Sequence, residues 1–309
     1  MALVNSLREI AIAQKGDIPS IDQITDSSPV IATANFQAAN RGTAHVYEEL
    51  KHFTTGEYVA IDGVLTEVDA EFDVKKQDIG IQGGKMYAMS DTLALTGYTA
   101  EQYFMKKYMP VAQGTLQNLE TDLVYNILEA FAIANGNVIN ASGNANTNYS
   151  ILVCRWQEDN LSGIYNPEAF NPSTLFRLGS INNGAEYEIA AKNGALGFGM
   201  YYKTYMAFLA ANARNVSVIV NANKSTADAV TGTMMDDALA LARAGTTGST
   251  FIYCHPMAAS RFLNKFKGDA IVTDTSNREF NRAIDRYSGV PIVTSWNFKN
   301  GTEANVTLS

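Results

Sequence analysis

The stretch that most limits what this chain can become runs from Asn35 to Asp78, NFQAANRGTAHVYEELKHFTTGEYVAIDGVLTEVDAEFDVKKQD. Val, Tyr, Phe, Ile and Thr recur at alternate positions in Glu57-Tyr58-Val59-Ala60-Ile61 and in Val64-Leu65-Thr66-Glu67-Val68, with Asp62-Gly63 between them. Alternation of period two around an Asp-Gly pair predicts an antiparallel ribbon that turns at Asp62-Gly63. A two-stranded ribbon is marginal by itself in water. It becomes stable when a neighbour supplies a surface to lie on, and a second subunit can be that neighbour. The same stretch holds nothing that resembles a catalytic pattern, so it points to assembly.

Charge narrows the function further. The 309 residues carry 31 acidic and 23 basic side chains, a net charge of −8, and only 17% of positions are charged. A dedicated nucleic-acid binder needs clustered Lys and Arg to neutralise phosphates. The densest basic group, Arg261, Lys265 and Lys267, falls at an expected helix end, where cations suit the dipole. Low charge with 46% apolar residues suits a protein that hides much of its surface against copies of itself. A chain of this length buries roughly three-quarters of its unfolded surface, enough for a real core in one or two domains.

Regular elements follow from periodicity. Leu3, Leu7, Ile10 and Ala11 share one helical face, ahead of the breakers Gly16, Pro19 and Asp26-Ser27-Ser28-Pro29. This reads as a short helix on an extended arm. Glu67, Asp69, Glu71 and Asp73 alternate with Val68, Ala70, Phe72 and Val74, an acidic strand face opposite an apolar one. Alternate strand residues lie about 6.6 Å apart, too far to close on one ion, so the acidic face reads as a solvated or partner-facing edge that discourages wrong pairing. From Gln113 to Asn135, Leu116, Leu119, Leu123, Ile127, Phe131 and Ala134 recur at helical spacing up to the stop at Asn135-Gly136, with Pro110 starting or kinking the helix.

Beyond a polar loop at 136–149, strands are expected over Ile151–Trp156, Val216–Val220, Thr250–Cys254 and Val290–Thr294. Helices are expected over about Thr226–Ala244 and from Pro256 to a stop at Gly268. Alternating strand and helix from 216 to 294 predicts a compact second domain. Asn193 to Ala213 imitates a membrane span, but its glycines and polar residues leave it short of one, and it reads as a buried strand followed by a packed helix.

No catalytic, cofactor-binding or metal-binding constellation stands out. There is no Gly-x-Ser-x-Gly elbow, no Walker-type loop and no His-Glu-x-x-His. Gly194, Gly197 and Gly199 lack dinucleotide spacing and suit a bulge or close packing. Cys154 and Cys254 read as buried free thiols. His255 stands beside Cys254, but neighbours on a strand face opposite ways, and with Pro256 following, His255 is expected to open a helix.

Four segments carry a family resemblance. Asn40-Arg41-Gly42-Thr43-Ala44-His45-Val46 and Glu67-Val68-Asp69 flank the ribbon. Ser150-Ile151-Leu152-Val153-Cys154-Arg155-Trp156 continues to Ser162-Gly163-Ile164-Tyr165, and Gly289-Val290-Pro291-Ile292-Val293 comes late. In this order the chain resembles the major capsid proteins of tailed bacteriophages with the Hong Kong 97-like fold. The resemblance implies an α+β fold with an N-terminal arm at 1–32 and an extended β-ribbon loop at 33–70. It also implies a peripheral domain at 71–215 containing a spine helix at 113–135, an axial domain at 216–294, and a C-terminal return segment at 295–309.

The implied function is a major capsid protein that assembles through pentamers and hexamers into an icosahedral shell around phage double-stranded DNA. It would be built in the host bacterial cytoplasm and reside in the virion, with no cofactor and no membrane. Implied partners are copies of itself, with scaffolding, portal and decoration proteins, and DNA enclosed without sequence-specific binding. Candidate intersubunit contacts on the ribbon are Glu48, Glu49 and Lys51, with Phe53 and Tyr58 as apolar anchors. The alternative reading is an α+β enzyme or small-ligand binder with a site assembled from scattered residues such as Asp236, Asp237 and His255.

Overall fold

A computed structural model describes residues 27–54, 58, 61, 63–64, 67–143, 146–169, 176–226, 229–245, 249–266, 271–274 and 284–307. The expected N-terminal helix, the Asp62 half of the expected turn and the stop at Gly268 lie outside the described residues.

Three sheets organise the chain. The first strand, β1 (Phe36–Ala38), leads into the ribbon strands β2 (Ala44–Phe53) and β3 (Ala70–Asp78), which among the described residues pair only with each other. After Ile79 the chain continues as β4 (Gly80–Met89). Further on come β5 (Val138–Asn140), β6 (Asn148–Trp156), β7 (Leu161–Tyr165), β8 (Arg177–Ile181), β9 (Tyr187–Ile189) and β10 (Ala195–Ala210). The last are β11 (Val216–Asn223), β12 (Ser249–Cys254), β13 (Ile271–Asp274), β14 (Ile284–Tyr287) and β15 (Val290–Thr294). One sheet runs β1-β7-β10-β4, with β8 and β9 also pairing β10; the other runs β13-β14-β15-β12-β6-β11-β5.

The long helix begins earlier than its sequence stripe predicts. Thr99 and Gln102 form a capping box: Gln102 N–H donates to Thr99 Oγ1 at 3.2 Å and Thr99 N–H donates to Gln102 Oε1 at 3.1 Å. The helix then runs through Ala100–Asp122, a π-helical stretch at Leu123–Glu129 and a last turn at Ala130–Ala134. Pro110 sits inside it on an exposed side, where water can serve the carbonyl its missing N–H leaves free.

The π-helical stretch corrects the predicted core stripe. Leu116, Leu119 and Leu123 are buried as the 3.6 period requires, but beyond them Leu128 and Ala132 are buried while Ile127 and Phe131 are only partly so. A π turn accommodates an extra residue, which advances the inward face by one position.

Side-chain parity on the central strands divides the core in two. Leu152 and Cys154 of β6 and Val218 and Val220 of β11 pack with the long helix and with Met200, Tyr202, Met206 and Phe208 of β10. Their alternate neighbours Ile151, Val153 and Ile219 pack with Met235, Ala238, Leu239 and Phe262 of the two later helices. Each fully buried Leu, Ile or Phe here contributes about 1.5–3 kcal/mol.

Several expected boundaries shift. The seven-stranded sheet takes an interior strand, β6, from before the expected domain start at 216, because β6 is buried on both faces and needs a partner on each edge. The ribbon's second strand begins where the ribbon was expected to end, at residue 70. The helix expected over Thr226–Ala244 is the shorter Gly232–Leu241, capped by Thr231. Residues 195–210 form one long strand and not a strand plus a helix; its glycines 197 and 199 let β4, β8 and β9 approach closely. Among the described residues no helix is long and apolar enough to cross a membrane.

Candidate assembly surfaces

The ribbon is held at its base, and most of its described side chains beyond the base are exposed. At the base, Ala44 and His45 are buried. His45 Nε2 lies 2.8 Å from Asp159 Oδ1, and Gln37 Nε2 donates to the same oxygen at 3.2 Å. Asn40 brackets Val46, accepting from its N–H at 2.9 Å and donating to its carbonyl at 2.6 Å. Ile79 N–H donates to Thr43 O at 3.0 Å, so β3 passes into the core strand β4 with both chains pinned at the junction.

Among the described residues around the predicted turn at Asp62-Gly63, none lies in a strand. Tyr58, Ile61, Gly63, Val64 and 67–69 carry no strand structure. Pairing closes instead at Thr54 and Asp69, where Thr54 N–H donates to Asp69 O at 2.9 Å and Asp69 N–H donates to Thr54 Oγ1 at 2.7 Å. Alternation alone does not make a strand; a residue needs a partner opposite, and beyond that rung no described residue has one.

Register assigns the candidate contacts to faces. Tyr47, Glu49, Asp73 and Lys75 share one face, and Val46, Glu48, Phe72, Val74 and Lys76 share the other. Glu48 and Glu49 therefore cannot act as one acidic pair. Glu49 sits 3.1 Å from Lys75 Nζ, whereas Glu48 stands exposed opposite Val74. Lys51 falls at the register shift between Leu50 and His52, and Phe53 pairs with Ala70; both side chains lie outside the described residues. Tyr58 is fully exposed. Sequence reasoning passed over Phe72 and Val74 as contacts, although their alternation with Glu71 and Asp73 was visible. They are 53% and 70% exposed on the face they share with Val46, Glu48 and Lys76.

A second feature, with no forewarning in the sequence, binds the chain's ends together. Glu120 on the long helix is fully buried and accepts from Val30 N–H at 2.8 Å, Ile31 N–H at 3.2 Å, Asn297 Nδ2 at 2.9 Å and the Ser295 hydroxyl. Burial raises its pKa while these bonds oppose the rise. The expected loose arm at 1–32 thus ends in the core, with Val30 and Ile31 buried.

Of the residues weighed for chemistry, His255 and Asp236 have structural partners and the two cysteines are buried in the core. Cys154 and Cys254 are buried free thiols, pushed upward by burial, Cys254 to about 12. His255 Nδ1 accepts from Met257 N–H at 3.0 Å, which is the helix-opening role expected of it. Asp236 accepts from the Tyr287 hydroxyl at 3.0 Å. Among the described residues, no group of three or more His, Cys, Asp and Glu is placed to hold a metal ion.

This architecture is the Hong Kong 97-like α+β fold of tailed-phage capsids. A chain of bacteriophage Epsilon15 matches with a TM-score of 0.60 at 16% identity, over 89% of this chain and 86% of that one. The bacteriophage JBD30 capsid matches with a TM-score of 0.51 at 7% identity, over 85% of this chain and 88% of that one. No protein-family model and no curated protein sequence matches the chain.

Proposed function

We propose that this chain is a major capsid protein that assembles through pentamers and hexamers into an icosahedral shell around phage double-stranded DNA. The observation that carries this reading is the β2–β3 ribbon, which projects from a Hong Kong 97-like body, pairs with no third strand and keeps Phe72 and Val74 exposed. An exposed apolar ribbon is a liability to a monomer and a clamp to an oligomer. Laid across a neighbouring copy, its Val46–Phe72–Val74 face gains a surface to bury, while Glu48, Glu49, Lys51, Phe53 and Tyr58 meet the partner along the ribbon and at its tip.

Within this reading the six-stranded sheet and the long helix form the peripheral body, and the seven-stranded sheet faces the symmetry axes. The partners are copies of the chain, together with scaffolding, portal and decoration proteins. DNA is enclosed without sequence-specific contacts, in keeping with the net charge of −8. Assembly takes place in the bacterial cytoplasm and the product is the virion shell. Size-exclusion chromatography followed by electron microscopy of the purified protein tests the reading. Capsomers or closed particles are expected; a persistent monomer or small oligomer under all assembly conditions, with or without scaffold, would overturn it.

A further inference from the structure

The C-terminal stretch crosses the ends of β6 and β11 and is held there by a ladder of asparagines. Asn221 has a left-handed φ of 59° at the β11 irregularity, which turns its side chain toward Val306. It accepts from Val306 N–H at 2.8 Å and donates to Val306 O at 2.9 Å. Asn148 and Glu303 exchange backbone hydrogen bonds at 3.3 and 3.2 Å, and Asn305 N–H donates to Asn146 Oδ1 at 3.1 Å. Phe298 is buried against Tyr125, so the stretch that hangs on this ladder is 299–307.

Between the rungs Glu303 turns inward to face Glu129 of the long helix. The two are 6% and 8% exposed. Ser150 Oγ lies within hydrogen-bonding distance of both, 3.2 Å from Glu129 Oε1 and closer to Glu303 Oε2. A hydroxyl has one proton, so Ser150 can donate to only one carboxyl at a time. Tyr125 donates to Glu303 Oε1 at 2.7 Å, and Glu129 Oε2 is buried with no hydrogen-bond partner among the described residues. Four buried carboxyl oxygens therefore share two hydroxyl protons, and two adjacent buried carboxylates resist ionising together.

We propose that Glu129 and Glu303 hold one proton between them, and that its loss releases residues 299–307 from the long helix and β6. The proton neutralises one of the two carboxyls and removes the repulsion across Ser150. The other charged or titratable groups near the pair are Lys299, whose Nζ lies 4.3 Å from the Tyr125 ring centre, Tyr149 on β6, and Arg261, which acts on Tyr149. Burial, then the charge of Glu129, raises Glu303 to about 7 against the opposing effects of Ser150, Tyr125 and Lys299. Burial raises Glu129 as well.

The sign follows from these directions. A carboxyl raised above its unfolded value binds its proton more tightly in the closed state. The latch is therefore strongest below the ordinary carboxylate range and weakens as pH rises to about 7. This device belongs to the single subunit and does not depend on the capsid reading.

Hydrogen–deuterium exchange of the full-length unassembled chain tests it, with rates corrected for intrinsic base catalysis. Opening of 299–307 is expected to grow about tenfold per pH unit between about pH 5 and about pH 7, then level off. Glu303→Gln, which mimics the protonated acid, is expected to keep protection and flatten that profile. Should it fail to fold, Glu129→Gln serves the same purpose. A flat wild-type profile, or an undiminished slope in a folded variant, overturns the proposal. Carboxyl-carbon NMR with assigned resonances gives a second reading: Glu129 or Glu303 titrating near neutrality supports the shared proton, and both titrating in the ordinary range refutes it.

Discussion

The carboxylate of Glu120 accepts the backbone N–H of Val30 at 2.8 Å, which fixes the first described segment to the middle of the long helix. The same carboxylate takes Asn297 Nδ2 and the Ser295 hydroxyl from the other end of the chain. One side chain thus closes two segments separated by more than half the sequence, and the core under it excludes the water that could replace it.

Glu120→Ala should consequently be severe. It strands the Val30 and Ile31 donors and the Ser295 hydroxyl, and each buried unsatisfied donor costs about 1–3 kcal/mol. Glu120→Gln keeps an acceptor and should cost less than the alanine variant. Urea denaturation checks this: a lower midpoint with unchanged slope is expected for both variants, in that order. Equal loss for Ala and Gln would show that the shape and the single acceptor that Gln retains contribute nothing.

The phase shift in the long helix gives a paired test. Leu128→Ala removes a fully buried side chain and should cost about 2–5 kcal/mol, whereas Ile127→Ala, one position earlier, should cost clearly less because Ile127 is only partly buried. Phe131→Ala should likewise fall below the about 3–5 kcal/mol of a fully buried Phe. A uniform α-helix would reverse the order of positions 127 and 128, so unfolding midpoints of the two alanine variants decide between the geometries.

How much of this was legible follows from where each signal resides. Val290–Thr294 and the β12 strand could be read directly, because β-branched runs bounded by breakers are local properties. The His255 cap was legible for the same reason, since Pro256 marks a first helical turn. The role of β6 was not, because strand order is set by partners more than sixty residues away. The inward shift to Leu128 was hidden too, since a π turn leaves no mark in apolar spacing. Glu120 and Glu129 stand on or beside the apolar stripe, and a lone Glu there looks like a helix surface until its partners arrive from both chain ends. The ribbon was legible in kind and misplaced in extent: its described pairing ends at Thr54 and Asp69, short of Asp62-Gly63, and the exposed Phe72 and Val74 alternate with acids on β3.

Thiol chemistry should be silent in the native state. Cys154 and Cys254 are fully buried, and burial pushes both thiols well above the ordinary range. The thiolate is the reactive form, so neither should be available near neutral pH. Titration with an aromatic disulfide reagent should find no reactive group in the folded chain and both after denaturation. Rapid modification of the folded protein would indicate opening of the β6–β12 pair.

The ribbon supplies the test that separates folding from assembly. Phe72 and Val74 are exposed in the isolated subunit, so Phe72→Ala and Val74→Ala should leave its stability within about 0.5 kcal/mol. If that face clamps a second copy, both variants should sharply reduce particle yield, since buried aromatic and aliphatic anchors carry most interface energy. Tyr58→Ala should impair assembly in the same way through the ribbon tip. Glu48→Ala should do less, because exposed charges at a rim mainly steer and select partners. The measurements are the denaturation midpoint of soluble subunits and the particle yield for each variant. Normal yield from subunits lacking both Phe72 and Val74 side chains would reject the ribbon face as an intersubunit clamp. Lost folding with normal assembly of the surviving molecules would place those residues in the subunit's own core.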